Sequence, residues 1–144
     1  MDDRFYNCRI ILKKKIIISN KLRENLVQHA NKQNPYEACA ILLGNTDNET
    51  WETDEIFLTE NTDKSEINFT VSNEQLLAGY KSAEEKGLDV VGIFHSHPKS
   101  VPSPSNTDIK FMKVNPVPWI IYSGLTNEMK AYILDVEVIE IQIS

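Results

Sequence analysis

The chain has 144 residues, 41% of them hydrophobic, which is enough for one domain around one core and too little for two. A net charge of -6 at pH 7 argues against a nucleic-acid-binding surface, which carries a basic patch or stripe, and makes a partner with a basic face electrostatically easier. The two cysteines, Cys8 and Cys39, stand outside any C-x-x-C pair, form no disulfide framework and read as reduced thiols.

Met1 to Phe5 lacks the basic-then-apolar order of a signal peptide, and no stretch approaches roughly 18 apolar residues. A soluble cytoplasmic chain with no membrane partner is the expectation. Arg9 to Leu12 and Lys15 to Ile18 read as two Ile-rich strands, with Lys13-Lys14-Lys15 as the turn between them and too short for a nucleic-acid tract. Ser19 or Asn20 then caps a helix with Leu22, Leu26, His29 and Ala30 at helical spacing, and Asn34-Pro35 ends it. Glu37 to Gly44 is a mostly apolar run bounded by turn signals, a buried strand whose first residue is a carboxylate. Glu52 to Leu58 predicts another strand and Asn68 to Val71 a short one, with the polar loop Thr59 to Glu66 between them. Ser72 with Gln75 forms a capping box for a helix to Lys86, with Leu76, Leu77, Tyr80 and Ala83 inward and Gly87 as its stop. Asp89 to Phe94 carries an apolar strand into His95-Ser96-His97-Pro98, and a stiff loop with Pro98, Pro102 and Pro104 follows. Ser105 to Val114 reads as a short helix broken by Asn115 to Pro118. Trp119 to Ser123 and Lys130 to Leu134 pair around Gly124-Leu125-Thr126-Asn127, and Val136 to Ile143 is a last alternating strand. Strands interrupted by two or three helices make an α/β (mixed α+β) domain around one central sheet, spanning 1–144.

Residues two apart on a strand share a face, so His95 and His97 can offer both imidazoles to one ion while Ser96 faces away. The plain alternative is two polar residues at a strand end. Against it, two of only three histidines fall at this spacing after an apolar run, and burying imidazoles without partners is costly. Imidazole with carboxylate suits Zn²⁺, and three protein ligands leave a fourth position for the water that a zinc hydrolase activates. Asp108 is the carboxylate candidate. Ser105-x-x-Asp108 reads equally as a helix capping box, and the two roles are compatible because a helix N-terminus favours the ionised form. Glu37 reads from position alone as the salt-bridge partner of a lysine. Hydrolysis nevertheless needs a base that takes a proton from water and delivers it to the leaving amine, and Glu37 is one of few acids entering a core strand. Ser105 is either a cap or a hydroxyl donor to an oxyanion. Cys39 lies inside an apolar run and reads as a small hydrophobe rather than a nucleophile. His29 reads as a packing residue and Trp51 and Trp119 as sheet or core residues. The five glycines are scattered and form no phosphate loop.

Pro35-Tyr36-Glu37-Ala38-Cys39-Ala40-Ile41-Leu42-Leu43-Gly44, then Gly92-Ile93-Phe94-His95-Ser96-His97-Pro98, then Ser105-Asn106-Thr107-Asp108 resembles the JAMM (MPN+) metalloprotease signature. That signature is a distant glutamate followed by H-x-H-P, a short loop and S-x-x-D. The resemblance implies that His95, His97 and Asp108 bind zinc, that Glu37 is the general acid/base, and that Ser105 helps stabilise the tetrahedral intermediate. It implies a JAMM/MPN-like domain with a central curved mixed β-sheet flanked by two to three helices. The implied substrates are isopeptide or peptide bonds after the C-terminal tail of a ubiquitin-like modifier or sulfur carrier protein. Such an extended tail can add as a strand to an exposed sheet edge. Ala40 stands where many members have glycine, and the region from Asp108 to Trp119 lacks the long insertion with which eukaryotic deubiquitinases hold ubiquitin. The chain thus resembles a compact prokaryotic member. The remaining alternatives are a processing protease for a ubiquitin-like sulfur carrier and a non-catalytic MPN scaffold. Inactive relatives have typically lost ligands, and here none is missing.

Overall fold

A computed structural model describes residues 14–48, 50–61 and 73–144. The predicted strands at Arg9–Leu12 and Asn68–Val71, the cap at Ser72 and Cys8 lie outside the described residues. Within them run β1 (Lys15–Ile17), α1 (Asn20–Gln33), β2 (Cys39–Thr46), β3 (Thr50–Thr59), α2 (Asn73–Glu85) and β4 (Asp89–His97). Then follow α3 (Asn106–Val114), β5 (Trp119–Ser123), β6 (Met129–Leu134) and β7 (Val138–Ile143). The expected mixed α+β architecture is present, with its curved sheet carried to closure. The strand order is β1-β3-β2-β4-β5-β6-β7, and β1 closes the ring by pairing in parallel with both β3 and β7. Register shifts on either side of Leu43, against β3 and against β4, add local bend. The β4–β5 pair is also parallel, with α3 in its crossover; all other pairs are antiparallel. Because β1 reaches only Thr50 to Glu52, the outer edge of β3 from Thr53 to Thr59 has no strand partner among the described residues.

The strand β2 is apolar along most of its length because it is covered on both faces. Ala38, Ala40 and Leu42 pack with Leu26 and Ala30 of α1. On the other face Cys39 meets Ile93, Trp119, Ile121 and Met112 of α3, while Ile41 and Leu43 meet Ala83 of α2. The helix α1 begins as its sequence predicts, with the Ser19 hydroxyl accepting the Leu22 N–H at 3.2 Å.

The buried face of α2 differs from the predicted one. Ala83 is buried and Leu76 packs beside it, but Leu77 is 70% exposed and Tyr80 42% exposed. Gly79 occupies the contact: a Cβ there would lie 2.5 Å from Ile41 Cδ1 and 3.5 Å from Phe57 Cδ1. Without a side chain at that position the helix comes so close to the sheet that the inward stripe is Leu76, Gly79 and Ala83. Periodicity reads leucine and tyrosine as core formers and glycine as a breaker, and so selects the neighbouring stripe. Gly79→Val is expected to destabilise the fold by about 1–3 kcal/mol through overpacking, lowering the urea midpoint without changing the m-value. An unaltered midpoint would show that α2 is not held this closely.

The proline-rich loop after β4 is tied at successive points. The Ser123 hydroxyl donates to Ser100 O and the Tyr132 hydroxyl to Pro102 O. The Gly124 N–H donates to His97 O at 2.9 Å, and a Cβ on Gly124 would lie 2.5 Å from Pro98 O, so the β5–β6 turn seats against β4 only as glycine. Among the described residues no helix is long and apolar enough to cross a membrane.

Candidate active site

Pairing between β2 and β4 builds one side of the site. Cys39 stands opposite His95 and Ala40 opposite Phe94. Just before β2 the Ser96 N–H donates to Ala38 O at 3.0 Å, which holds the chain leading from Glu37 beside β4. His95 Nε2 and His97 Nε2 lie 3.0 Å apart, and Asp108 Oδ2, from the first turn of α3, lies 3.1 Å from the former and 3.2 Å from the latter. Ligand-capable atoms of Glu37, His95 and His97 lie within 4.8 Å of one another. All four residues are buried. Ser105 is exposed at the start of α3 and caps it, its hydroxyl accepting the Asp108 N–H at 3.1 Å while its own N–H donates to Asp108 Oδ2 at 2.9 Å. The capping-box reading of Ser105-x-x-Asp108 is present, and the oxygen that closes the box also faces the two imidazoles.

The electrostatics follow from burial and contact. Burial raises the Glu37 carboxyl to about 8, with the neighbouring His97 opposing and Asp108 adding to the rise. No lysine pairs with Glu37 among the described residues, so the salt-bridge alternative is not what the structure contains. Burial also raises Asp108, but its bonds with His95, His97 and the Ser105 backbone outweigh that and hold it well below the usual carboxylate range. His95 is lowered, chiefly by burial, with Asp108 partly opposing. For His97 burial lowers the imidazole, but Asp108 and the Val101 carbonyl together raise it on balance. The His97 Nδ1–H donates to Val101 O at 2.9 Å, which turns Nε2 toward His95 and Asp108. Burial pushes the Cys39 thiol up to about 12, in keeping with an inert core residue rather than a nucleophile.

The donor set fits a zinc ion. In a tetrahedral site with bonds of about 2.0–2.1 Å, neighbouring ligand atoms lie about 3.3 Å apart. The His95, His97 and Asp108 atoms, separated by 3.0, 3.1 and 3.2 Å, come close to that edge. The triangle with Glu37 is looser, so Asp108 is the better third corner and Glu37 stands back from it. Outer contacts of the kind that orient metal-binding side chains are also present, from Val101 O to His97 and from the Ser105 N–H to Asp108.

Sequence reasoning missed the groups that hold the Glu37 segment in place. The Asn61 side-chain amide donates to Glu37 O at 3.0 Å. Ser96, on the face away from the histidines as expected, accepts the Ala38 N–H on its hydroxyl at 2.9 Å and donates its own N–H to Ala38 O at 3.0 Å. Thr59 Oγ1 and His29 Nε2 both donate to Cys39 O, at 2.8 and 2.9 Å, which gives the buried packing histidine its polar partner. No local signal marks these residues, because their partners lie 10 to 58 positions away.

Residues 19–135 match the family described as prokaryotic homologs of the JAB domain. The chain is 43% identical over 70 residues to a desampylase of Pyrococcus furiosus, a stretch covering 49% of each chain. It is 30% identical over 90 residues to a desampylase of Haloferax volcanii, covering 60% of this chain and 64% of that one. A probable TtuB-protein conjugate cleaving protease of Thermus thermophilus is 39% identical over 59 residues, covering 41% of this chain and 38% of its own. The matched stretches thus span less than two thirds of these relatives. The solution structure of a Desulfitobacterium hafniense protein superposes with a TM-score of 0.80 at 27% identity, over 90% of this chain and 91% of that one.

Proposed function

The chain belongs to the prokaryotic homologues of the JAB domain, the JAMM/MPN family, and from that membership we propose a zinc-dependent isopeptidase or peptidase acting on ubiquitin-like modifiers. The bond cut is the one after the modifier's C-terminal tail. The observation carrying this reading is the convergence of His95, His97 and Asp108 on one point, with Glu37 buried beside them. The names of the relatives, desampylase and conjugate-cleaving protease, support a modifier conjugate as the substrate class.

In this reading His95, His97 and Asp108 hold the metal. When bound, Zn²⁺ supplies a Lewis acid and an acidified water. Glu37 accepts the proton of the attacking water and returns it to the departing amine as the C–N bond breaks, leaving a modifier carboxylate and a free amine. Ser105 already accepts the Asp108 N–H, and its own hydroxyl proton serves as a donor to the oxyanion. Residues 1–144 work as one domain on cytoplasmic substrates, with no nucleic acid or membrane involved.

The test is a panel of linear fusions and isopeptide conjugates of ubiquitin-like modifiers and sulfur carriers, incubated with zinc-loaded protein. Cleavage directly after the modifier tail is expected, lost with a zinc chelator and restored by added zinc. Preference for linear carrier precursors over conjugates would identify a processing protease. Failure to cut any member of the panel, or cutting that survives chelation, would overturn the reading.

A further inference from the structure

We propose that Ser96 is the positioning residue that sets Glu37 against the two histidines, an inference that rests on the acid/base role just assigned to Glu37. Ser96 is 2% exposed and lies between His95 and His97 in β4, its side chain on the opposite face of the strand. Its N–H donates to Ala38 O at 3.0 Å, which makes Ala38 and Ser96 a hydrogen-bonded antiparallel pair. In a regular ladder the Ala38 N–H would return to the Ser96 carbonyl. Here it goes to the Ser96 hydroxyl at 2.9 Å. That exchange takes the chain out of the ladder at Ala38, one residue before β2 begins, and Glu37 lies just outside the strand with its carboxylate within 4.8 Å of the His97 imidazole.

Both amide groups of Ala38's backbone are thereby tied to a residue covalently flanked by His95 and His97. Asn61 fixes the preceding carbonyl, that of Glu37, from the end of β3. The carboxylate is referred to the imidazoles through one rigid strand rather than through a loop. A displacement of about 1 Å in a reacting group can cost about 10²-fold in rate, so a clip of this kind acts on catalysis and not only on stability.

The experiment compares Ser96→Ala and Ser96→Thr with wild type in the full chain loaded with zinc. Ser96→Ala is expected to lower kcat about 30- to 100-fold with KM within about twofold and zinc content unchanged, and Ser96→Thr, which keeps the hydroxyl, to recover most of the loss. Wild-type kcat in Ser96→Ala, or an equal loss in Ala and Thr, overturns the proposal. Where Ser96→Ala does not fold, Ser96→Cys, with a weaker acceptor, is expected to show the same kcat-selective loss to a smaller degree, and wild-type kcat there overturns it. Hydrogen exchange and a crystal structure provide readouts independent of activity. Faster exchange of the Ala38 amide and a shifted Glu37 carboxylate are expected in Ser96→Ala even if no modifier is cut, an outcome that would reject the proposed activity alone. An unchanged Ala38 amide and Glu37 position overturn the positioning role itself.

Discussion

Zinc-loaded Glu37→Gln is expected to cleave a modifier fusion about 10³-fold more slowly than wild type, with KM within a few-fold and zinc content unchanged. Glutamine keeps the size and hydrogen-bonding reach of the side chain but cannot carry a proton between water and amine. Glu37 stands outside the tight triangle of His95, His97 and Asp108, so its loss should act on proton transfer rather than on metal retention. Equal rates would remove it from the mechanism. The same substitution has a second signature in the metal-free protein. Burial lifts the Glu37 carboxyl from its ordinary 4.5 to about 8, so between those values the folded chain keeps a proton that the unfolded chain has released. The stability linked to that proton is fully present below about pH 4.5 and is lost as pH rises through about 8. Metal-free Glu37→Gln has no such proton to lose. It should gain on metal-free wild type in urea midpoint as pH rises through this window, and a constant difference would contradict the buried-acid assignment.

What the sequence made legible is what local chemistry determines. Ser19 and Ser105 announce helix starts because a cap needs only neighbours within one turn. The alternation in His95-Ser96-His97 places two imidazoles on one face because strand geometry alone dictates it. Glu37 and Asp108 were reachable only by asking what a hydrolase requires and by family resemblance, since the β2–β4 pairing that brings Glu37 beside the histidines joins segments far apart in the chain. The parallel closure of β1 onto β7 was illegible for the same reason: Lys15 and Ile16, in a strand whose Ile-rich pattern names no partner, pair with Gln142 and Ile143. The rotation of α2 hid in Gly79, whose importance lies in the Ile41 side chain above it and not in its own helix. Ser96 and Asn61 illustrate the general case. A positioning hydrogen bond is a statement about two distant segments, and neither segment alone carries it.

Asp108 carries two duties in one side chain, and substitution can separate them. Asp108→Asn keeps an acceptor for the Ser105 N–H, so the capping box survives, but it removes the carboxylate that faces both imidazoles. Zinc affinity is expected to fall by more than about 10²-fold, since losing an outer partner of a ligand alone costs about 10- to 100-fold. Cleavage should fall below detection at equimolar zinc. Asp108→Ala should lose the metal equally and, in addition, up to about 1 kcal/mol of fold stability, because the Ser105 N–H loses its acceptor while the Ser105 hydroxyl still caps α3. Competition with a chelating dye measures the affinity, and urea unfolding of the metal-free variants measures the stability. Stoichiometric zinc retained by Asp108→Asn would mean that Glu37, His95 and His97, the looser triangle, form the ligand set. Glu37→Gln would then shed its zinc, which the acid/base assignment forbids. Metal content of these two variants, measured side by side, thus assigns the two carboxylates to ligand and base without reference to any substrate.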